Sequence, residues 1–215
     1  MSFVFMSRLL VLIALVGFPL AAWPAATVLV FGDSLSAGYG LAQEAGWVSL
    51  LAQRIGKSAP DYRVVNASIS GETAAGGRRR IESALATHKP AIVIVELGGN
   101  DGLRGQRTET LRADLEAIVD ACLKRNAQVV LVGMRLPPNY GRDYVRRFEA
   151  VYGDVANKRR VTLVPFLLEG FGERQELFQP DAIHPTREAQ PIMLENVWRV
   201  LGPMLNARQP AATRR

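Results

Sequence analysis

Val28-Leu29-Val30-Phe31-Gly32-Asp33-Ser34-Leu35 sets four consecutive apolar residues directly before a turn-forming Gly-Asp-Ser. So short and continuous an apolar run is the mark of a strand buried on both faces, the kind found in a parallel sheet. Four further strands are expected at Arg63 to Asn66, Ala91 to Glu96, Val129 to Met134 and Thr162 to Val164. Between them, apolar residues return at helical spacing over Trp47 to Ile55, Thr73 to Ala86, Thr108 to Arg125 and Tyr144 to Lys158. A last helix falls within Thr186 to Leu205, where Leu194, Trp198, Leu201 and Leu205 recur. Strand and helix in alternation predict an α/β fold, a five-stranded parallel sheet with helices on both faces. The chain has 215 residues, 48% of them hydrophobic and 21% charged, with no internal repeat or linker, so one well-buried domain is expected.

The two ends read differently from this body. Arg8 precedes the apolar run Leu9 to Val16, and Gly17, Pro19, Ala21, Ala22, Ala25 and Ala26 follow. A cation, a short apolar stretch and small residues in that order predict a signal peptide over 1–26 and an exported protein. A buried helix or a membrane anchor is the alternative. The run is shorter than the roughly 20 apolar residues a span needs, and Pro19 and Pro24 interrupt its continuation. Ala22, Ala25 and Ala26 each offer a small residue for cleavage, and Met6 is a second candidate start. The body is then 27–205, without an integral span in the mature form, and 206–215 is expected to be a disordered basic tail.

Net charge is +6, which ordinarily raises nucleic acid or an anionic surface as a partner. Four of the cations, Arg8, Arg208, Arg214 and Arg215, lie in the leader and the tail, and +6 less these four leaves only +2 on the body. No nucleic-acid motif accompanies the charge, so no nucleic-acid partner is expected, and Arg78, Arg79 and Arg80 are expected to be a solvated helix face. Cys122 stands alone and cannot form an internal disulfide; with Ile118 and Val119 it fits the apolar stripe of a helix, as a buried structural thiol.

The chemistry-bearing residues fall at strand ends, where open α/β sheets bind ligands. Ser34 follows the first strand. Its setting suits a nucleophile presented to substrate, or equally a helix N-cap or Asx-type turn. A serine hydroxyl needs a base, and only two histidines exist. His88, before Lys89-Pro90, sits where a helix should end and can satisfy its last carbonyls. His184 lies in Pro180-Asp181-Ala182-Ile183-His184-Pro185, where prolines at both ends restrict the turn and hold a carboxylate near the imidazole. Acyl transfer also requires donors for a developing oxyanion. Gly98-Gly99-Asn100-Asp101 offers an amide after the third strand, and Ile69-Ser70-Gly71-Glu72 offers the Gly71 N–H after the second. Each of these alone could be only a turn; four at successive strand ends point to one acyl-transfer site. Leu136, Pro137 and Pro138 follow the fourth strand, and Leu136 is open to two readings, a core residue or a ligand contact.

The ordered set resembles the SGNH (GDSL) hydrolases over about Thr27 to Leu205, and among them the bacterial periplasmic thioesterase and lysophospholipase subgroup. Ser34 lies in the first family block. Gly71 stands in Ala67-Ser68-Ile69-Ser70-Gly71-Glu72-Thr73, Asn100 in the run Val95 to Gly105, and Asp181 with His184 in the last block. Arg135-Leu136-Pro137-Pro138-Asn139-Tyr140-Gly141 is similar to the subgroup's loop beside the acyl groove. The resemblance implies a three-layer, flavodoxin-like fold and a periplasmic serine esterase. In it Ser34 is the nucleophile, His184 the base and Asp181 its orienting carboxylate, with Ser34, Gly71 and Asn100 as the oxyanion hole. It further implies that Leu136 and Pro137 bind substrate, a small acyl ester or thioester, and that the enzyme needs no metal or cofactor. A monomer is expected. Two other functions stay in play: a carbohydrate acetylesterase on the same scaffold, and an acyl or lipid carrier without turnover, which an aryl-ester assay separates.

Overall fold

A computed structural model of the chain describes residues 25–207. Strands β1 (Ala26–Gly32), β2 (Tyr62–Asn66), β3 (Ile92–Glu96), β4 (Gln128–Val132) and β5 (Thr162–Val164) form one parallel sheet in the order β2-β1-β3-β4-β5. The helices are α1 (Ser34–Ala37), α2 (Trp47–Ser58), α3 (Ala74–His88), α4 (Gly99–Leu103), α5 (Thr108–Lys124), α6 (Arg142–Arg159) and α7 (Gln190–Ala207). One helical layer holds α3, α5 and α6 side by side, and the other pairs α2 with α7. The result is the expected three-layer α/β/α fold. Val28 to Phe31 and all of β3 are buried, as continuous apolar strands in a doubly covered sheet must be.

All five expected strands are present, and all five expected helices, with ends shifted by a few residues. The two helices that the sequence pattern did not resolve are α1 and α4. At four and five residues they are too short for a 3.6-residue period to register. The sequence places Ala26 in the leader and 206–207 in the tail, yet Ala26 opens β1, its N–H bonded to Asp61 O at 2.7 Å, and α7 runs to Ala207 behind the buried Leu201 and Leu205. The rest of both end segments lies outside the described residues. Arg80 also departs from expectation. Arg78 and Arg79 are exposed, but Arg80 turns inward, its guanidinium 3.8 Å from the Phe31 ring centroid. Cys122 is fully buried, which pushes its thiol up to about 12. Among the described residues no helix is long and apolar enough to cross a membrane.

β1 has β2 on one side and β3 on the other, so strand order reverses there and a crevice opens beyond the carboxyl ends of the strands. The segments after β1, β2 and β3 meet at this reversal.

Candidate active site

Asp33 caps α1, its Oδ1 accepting the Leu35 N–H at 3.0 Å, and Ser34 is the first helical residue. The cap and the nucleophile setting, alternatives in the sequence, are therefore realised together: one turn of helix holds Ser34 at the strand end. Gly38 closes that turn with φ +77°, where a side chain would be strained.

His184 reaches the same point from the loop between β5 and α7. Its Nε2 is 2.9 Å from Ser34 Oγ, and its Nδ1 is 2.7 Å from Asp181 Oδ2. Asp181 Oδ1 accepts the backbone N–H groups of Ile183 and His184, both at 3.0 Å. The backbone bond from His184 is the largest of several donations that hold the Asp181 carboxyl down at about 2, so it stays ionised. Ala182 takes φ +56°, a left-handed conformation that lets the turn fold back on the Asp181 side chain. The loop is exposed but tied down. Gln179 N–H donates to His184 O at 2.7 Å, Thr186 N–H donates to Leu177 O at 2.8 Å, and Phe178 pairs with Pro185. Buried Gln190 accepts the Trp47 N–H and donates to Thr186 O, which joins the loop to the start of α2.

Asn100 and Gly71 complete the set through their neighbours. Asn100 Nδ2 donates to Asp33 Oδ2 and to Glu72 O, each at 3.0 Å, so its amide is oriented between the β1 and β2 loops. Gly71 has φ +79° and exposed surroundings, and its carbonyl accepts from Arg104 at 3.3 Å. Ile69 N–H donates to Gly32 O at 3.0 Å, and Arg80 bonds Glu72 Oε2 at 2.6 Å and Ala67 O at 2.8 Å, which locks the Gly71 loop beside β1. The inward turn of Arg80 thus serves the site. Among the described residues neither Ser34 N–H nor Gly71 N–H has an acceptor. The structure thus joins Ser34, His184 and Asp181 directly by hydrogen bonds and ties Asn100 to Asp33 and Glu72, the chain neighbours of Ser34 and Gly71.

Leu136 and Pro137 differ from each other in exposure. Leu136 is 7% exposed; a Cβ on Gly102 would meet its Cδ2 at 2.7 Å and the Phe148 ring at 2.6 Å. Of the two sequence readings, core residue or ligand contact, this burial matches the first. Pro137 is exposed on a loop that Tyr140 fastens to α4 through Leu103 O at 3.1 Å. An open recess of about 500 Å³ lies behind α1, lined by Ser36, Leu41 and Val64 among others, and Ser34 is not part of its wall. Among the described residues no group of three or more His, Cys, Asp or Glu side chains is arranged to hold a metal ion.

Three participants escaped the sequence reading. The Tyr39 ring lies over His184, centroids 4.4 Å apart. Gln179 Nε2 donates to Tyr39 O and Pro185 O, and it fits because Gly40 lacks a Cβ, which would stand 2.1 Å from Gln179 Oε1. Glu96, fully buried at the end of β3, lies beneath Asp33. The Gly-Tyr-Gly run was the one available signal for Tyr39; nothing in the spacing marked the other two.

A hydroxyl, an imidazole and an ionised carboxylate in this order form the nucleophile, base and orienting acid of a serine hydrolase. Comparison with known proteins agrees. Residues 30–191 match the GDSL-like Lipase/Acylhydrolase family. Esterase TesA of Pseudomonas aeruginosa is 51% identical over 181 residues, 84% of this chain and 90% of that protein. Thioesterase 1/protease 1/lysophospholipase L1 of Escherichia coli K12 is 42% identical over 180 residues, 84% of this chain and 85% of that protein. The crystal structure of TesA superposes with a TM-score of 0.81 at 51% identity, covering 83% of this chain and 99% of that one. The chain belongs to the GDSL-like lipase/acylhydrolase family, an SGNH hydrolase of the esterase kind.

Proposed function

We propose that this protein is an exported, periplasmic serine esterase and thioesterase that works as a monomer through an acyl-enzyme on Ser34. The observation that carries the reading is the continuous chain from Ser34 Oγ to His184 Nε2 at 2.9 Å and from His184 Nδ1 to Asp181 Oδ2 at 2.7 Å. Ser34 Oγ forms a bond to the acyl carbon as its proton passes to His184. The ionised Asp181 holds the Nδ1–H tautomer and stabilises the imidazolium without taking the proton. The tetrahedral oxyanion is held by the N–H groups of Ser34 and Gly71 and by the Asn100 amide, which keeps one Nδ2–H on Asp33 Oδ2 and turns the other from Glu72 O to the oxyanion. Collapse breaks the bond to the leaving alcohol or thiol, which takes the proton from His184. Water, deprotonated by the same imidazole, then releases the acid.

Fatty acyl groups are the substrate class this surface suits. Among the described residues the large exposed hydrophobic side chains are Tyr39, Ile69, Leu123 and Ile183, and three of these four sit on the loops that carry the site. Tyr39 follows α1, Ile69 precedes Gly71 and Ile183 adjoins His184. An apolar rim of this kind favours acyl chains long enough to cover it. On the loop 135–141, Pro137 is exposed and free to touch such a chain, with Leu136 supporting it from the core. Cleavage after Ala22 or Ala25 leaves β1 whole, which favours either over Ala26 as the end of the leader.

Ser34→Ala tests the reading. It should leave the melting temperature unchanged, lower kcat for an aryl ester by at least about 10⁴, and abolish labelling by a phosphonate. Labelling that survives on another serine refutes it.

A further inference from the structure

We propose that Glu96 is a positioning residue for ester hydrolysis, acting through Asp33 to fix the Asn100 amide at the oxyanion. The inference rests on the oxyanion role of Asn100 given above. Glu96 ends the central strand β3 and is fully buried, opposite Gly32 in the sheet register. Its Oε2 accepts the Ser36 hydroxyl at 2.7 Å and lies 3.4 Å from the Asp33 N–H. Asp33 Oδ2 in turn accepts from Asn100 at 3.0 Å. One short run therefore leads from the sheet interior to the oxyanion donor: Ser36 and the Asp33 backbone on Glu96, the Asp33 carboxylate on Asn100.

Two observations argue that the carboxyl is there for this run and not for packing. A Cβ on Gly32 would stand 2.7 Å from Glu96 Oε2 and 2.9 Å from Ser36 Oγ, so the glycine that opens Gly32-Asp33-Ser34-Leu35 makes room for Glu96. Glu96 Oε1 is also buried without a partner. The preceding Ile92 to Val95 show what packs here at no desolvation cost, and an aliphatic residue in place of Glu96 would leave no bare oxygen. Burial, reinforced by the neighbouring Asp33, raises Glu96 well above the carboxylate range and favours its neutral form. Burial also lifts Asp33, to about 6, against the pull of its bonds from Leu35 and Asn100, of the Glu96 carboxyl and of His184. Two charges on this buried pair repel, and the Asn100 N–H donated to Asp33 Oδ2 favours charge on Asp33 over Glu96.

The test is a double-mutant cycle on the full chain, with kcat and KM for an aryl ester and the melting temperature as readouts. Glu96→Ala should lower kcat roughly 10- to 100-fold at nearly constant KM, the scale of a misplaced catalytic group. Glu96→Gln, which keeps a neutral group of the same shape, should stay within about threefold of the parent. In an Asn100→Ala background the Glu96→Ala change should cost under about twofold, because the group it positions is already gone. If Glu96→Ala is too unstable to assay, Ser36→Ala removes one bond to Oε2 and enters the same cycle, with a smaller loss that also vanishes beside Asn100→Ala. Losses that multiply, or a lower melting temperature with parental kcat, overturn the inference and leave the oxyanion reading standing. A parental kcat for Asn100→Ala alone overturns both.

Discussion

Two aspartates serve this site and are treated in opposite ways. Asp33, at the end of β1, is almost wholly buried and rises to about 6; Asp181, on the loop before α7, is exposed and falls to about 2. Hydrogen bonds to the charged form lower both, so they do not distinguish the two. Solvent does. Asp33 loses water around its carboxyl and gains only part of it back from Leu35 and Asn100. Asp181 keeps water on one side and adds two backbone N–H groups and the imidazole on the other. The exposed one is thereby suited to face an imidazolium that appears and disappears during turnover. The buried one is suited to hold a neighbour still.

The largest effect expected from breaking this contrast follows from Asp181→Asn. An amide at this position accepts at only one oxygen and favours the wrong imidazole tautomer, a change that costs on the order of 10⁴ in kcat in the serine-protease template. Here the Gln179 N–H bond to His184 O and the Tyr39 ring restrain the loop as well, so its geometry should survive and the loss should fall almost wholly on kcat. Unchanged turnover in Asp181→Asn removes the carboxylate from the mechanism.

The same contrast sets the pH dependence of stability, with opposite signs. Asp181 has a folded value of about 2 against an ordinary 3.8, so its contribution is complete above about pH 4 and is lost as pH falls toward 2. Asp33, at about 6 against 3.8, favours the fold below about pH 4, and that contribution is lost as pH rises through 6. Asp33→Asn should therefore flatten the decline between pH 4 and 6, a difference on the order of 3 kcal/mol in urea unfolding. Asp181→Asn should flatten only the acid limb below pH 4, and by less, because water screens an exposed carboxylate. Identical profiles for the two variants would show that burial does not separate them.

How much of this was legible in the sequence follows the same division. The sheet was readable because β1 and β3 are continuous apolar runs, and Ser34, Asp181 and His184 because a hydroxyl, an acid and the second of two histidines stood in turn-forming strings. The length of α1 and α4 hid them, since one turn of helix carries no period. Glu96 was hidden for a different reason. It ends an apolar run whose pattern carries no sign of what a terminal carboxyl would touch, and in the structure the first turn of α1 covers it. Arg80 misled, one of three adjacent arginines whose neighbours are solvated while it packs on Phe31. Pattern reading assigns charge to the surface by default, and the residues it missed are polar groups that tertiary contacts enclose.

The smallest expected effect applies the comparison to apolar side chains. Leu136 is 7% exposed and Ile69 is 50% exposed, so one lies in the core and the other on the rim of the site. Leu136→Ala deletes contacts with α4 and leaves a void beside Gly102, a loss of about 2 to 5 kcal/mol of stability. Its effect on turnover should be the same for acetyl and for long acyl esters, because the substrate does not reach a side chain closed off by its neighbours. Ile69→Ala removes no buried contact of that kind and should leave the melting temperature within a degree or two of the parent. A long acyl chain crossing the rim, however, gains by covering Ile69, on the order of 1 kcal/mol for the part of the side chain it can shield. That gain corresponds to a loss of about fivefold in kcat/KM for long acyl esters and none for acetyl esters. A chain-length series on the two variants separates the roles. If Leu136→Ala shows the chain-length dependence and Ile69→Ala does not, the acyl chain enters between α4 and the loop 135–141, and the exposed rim is not its path.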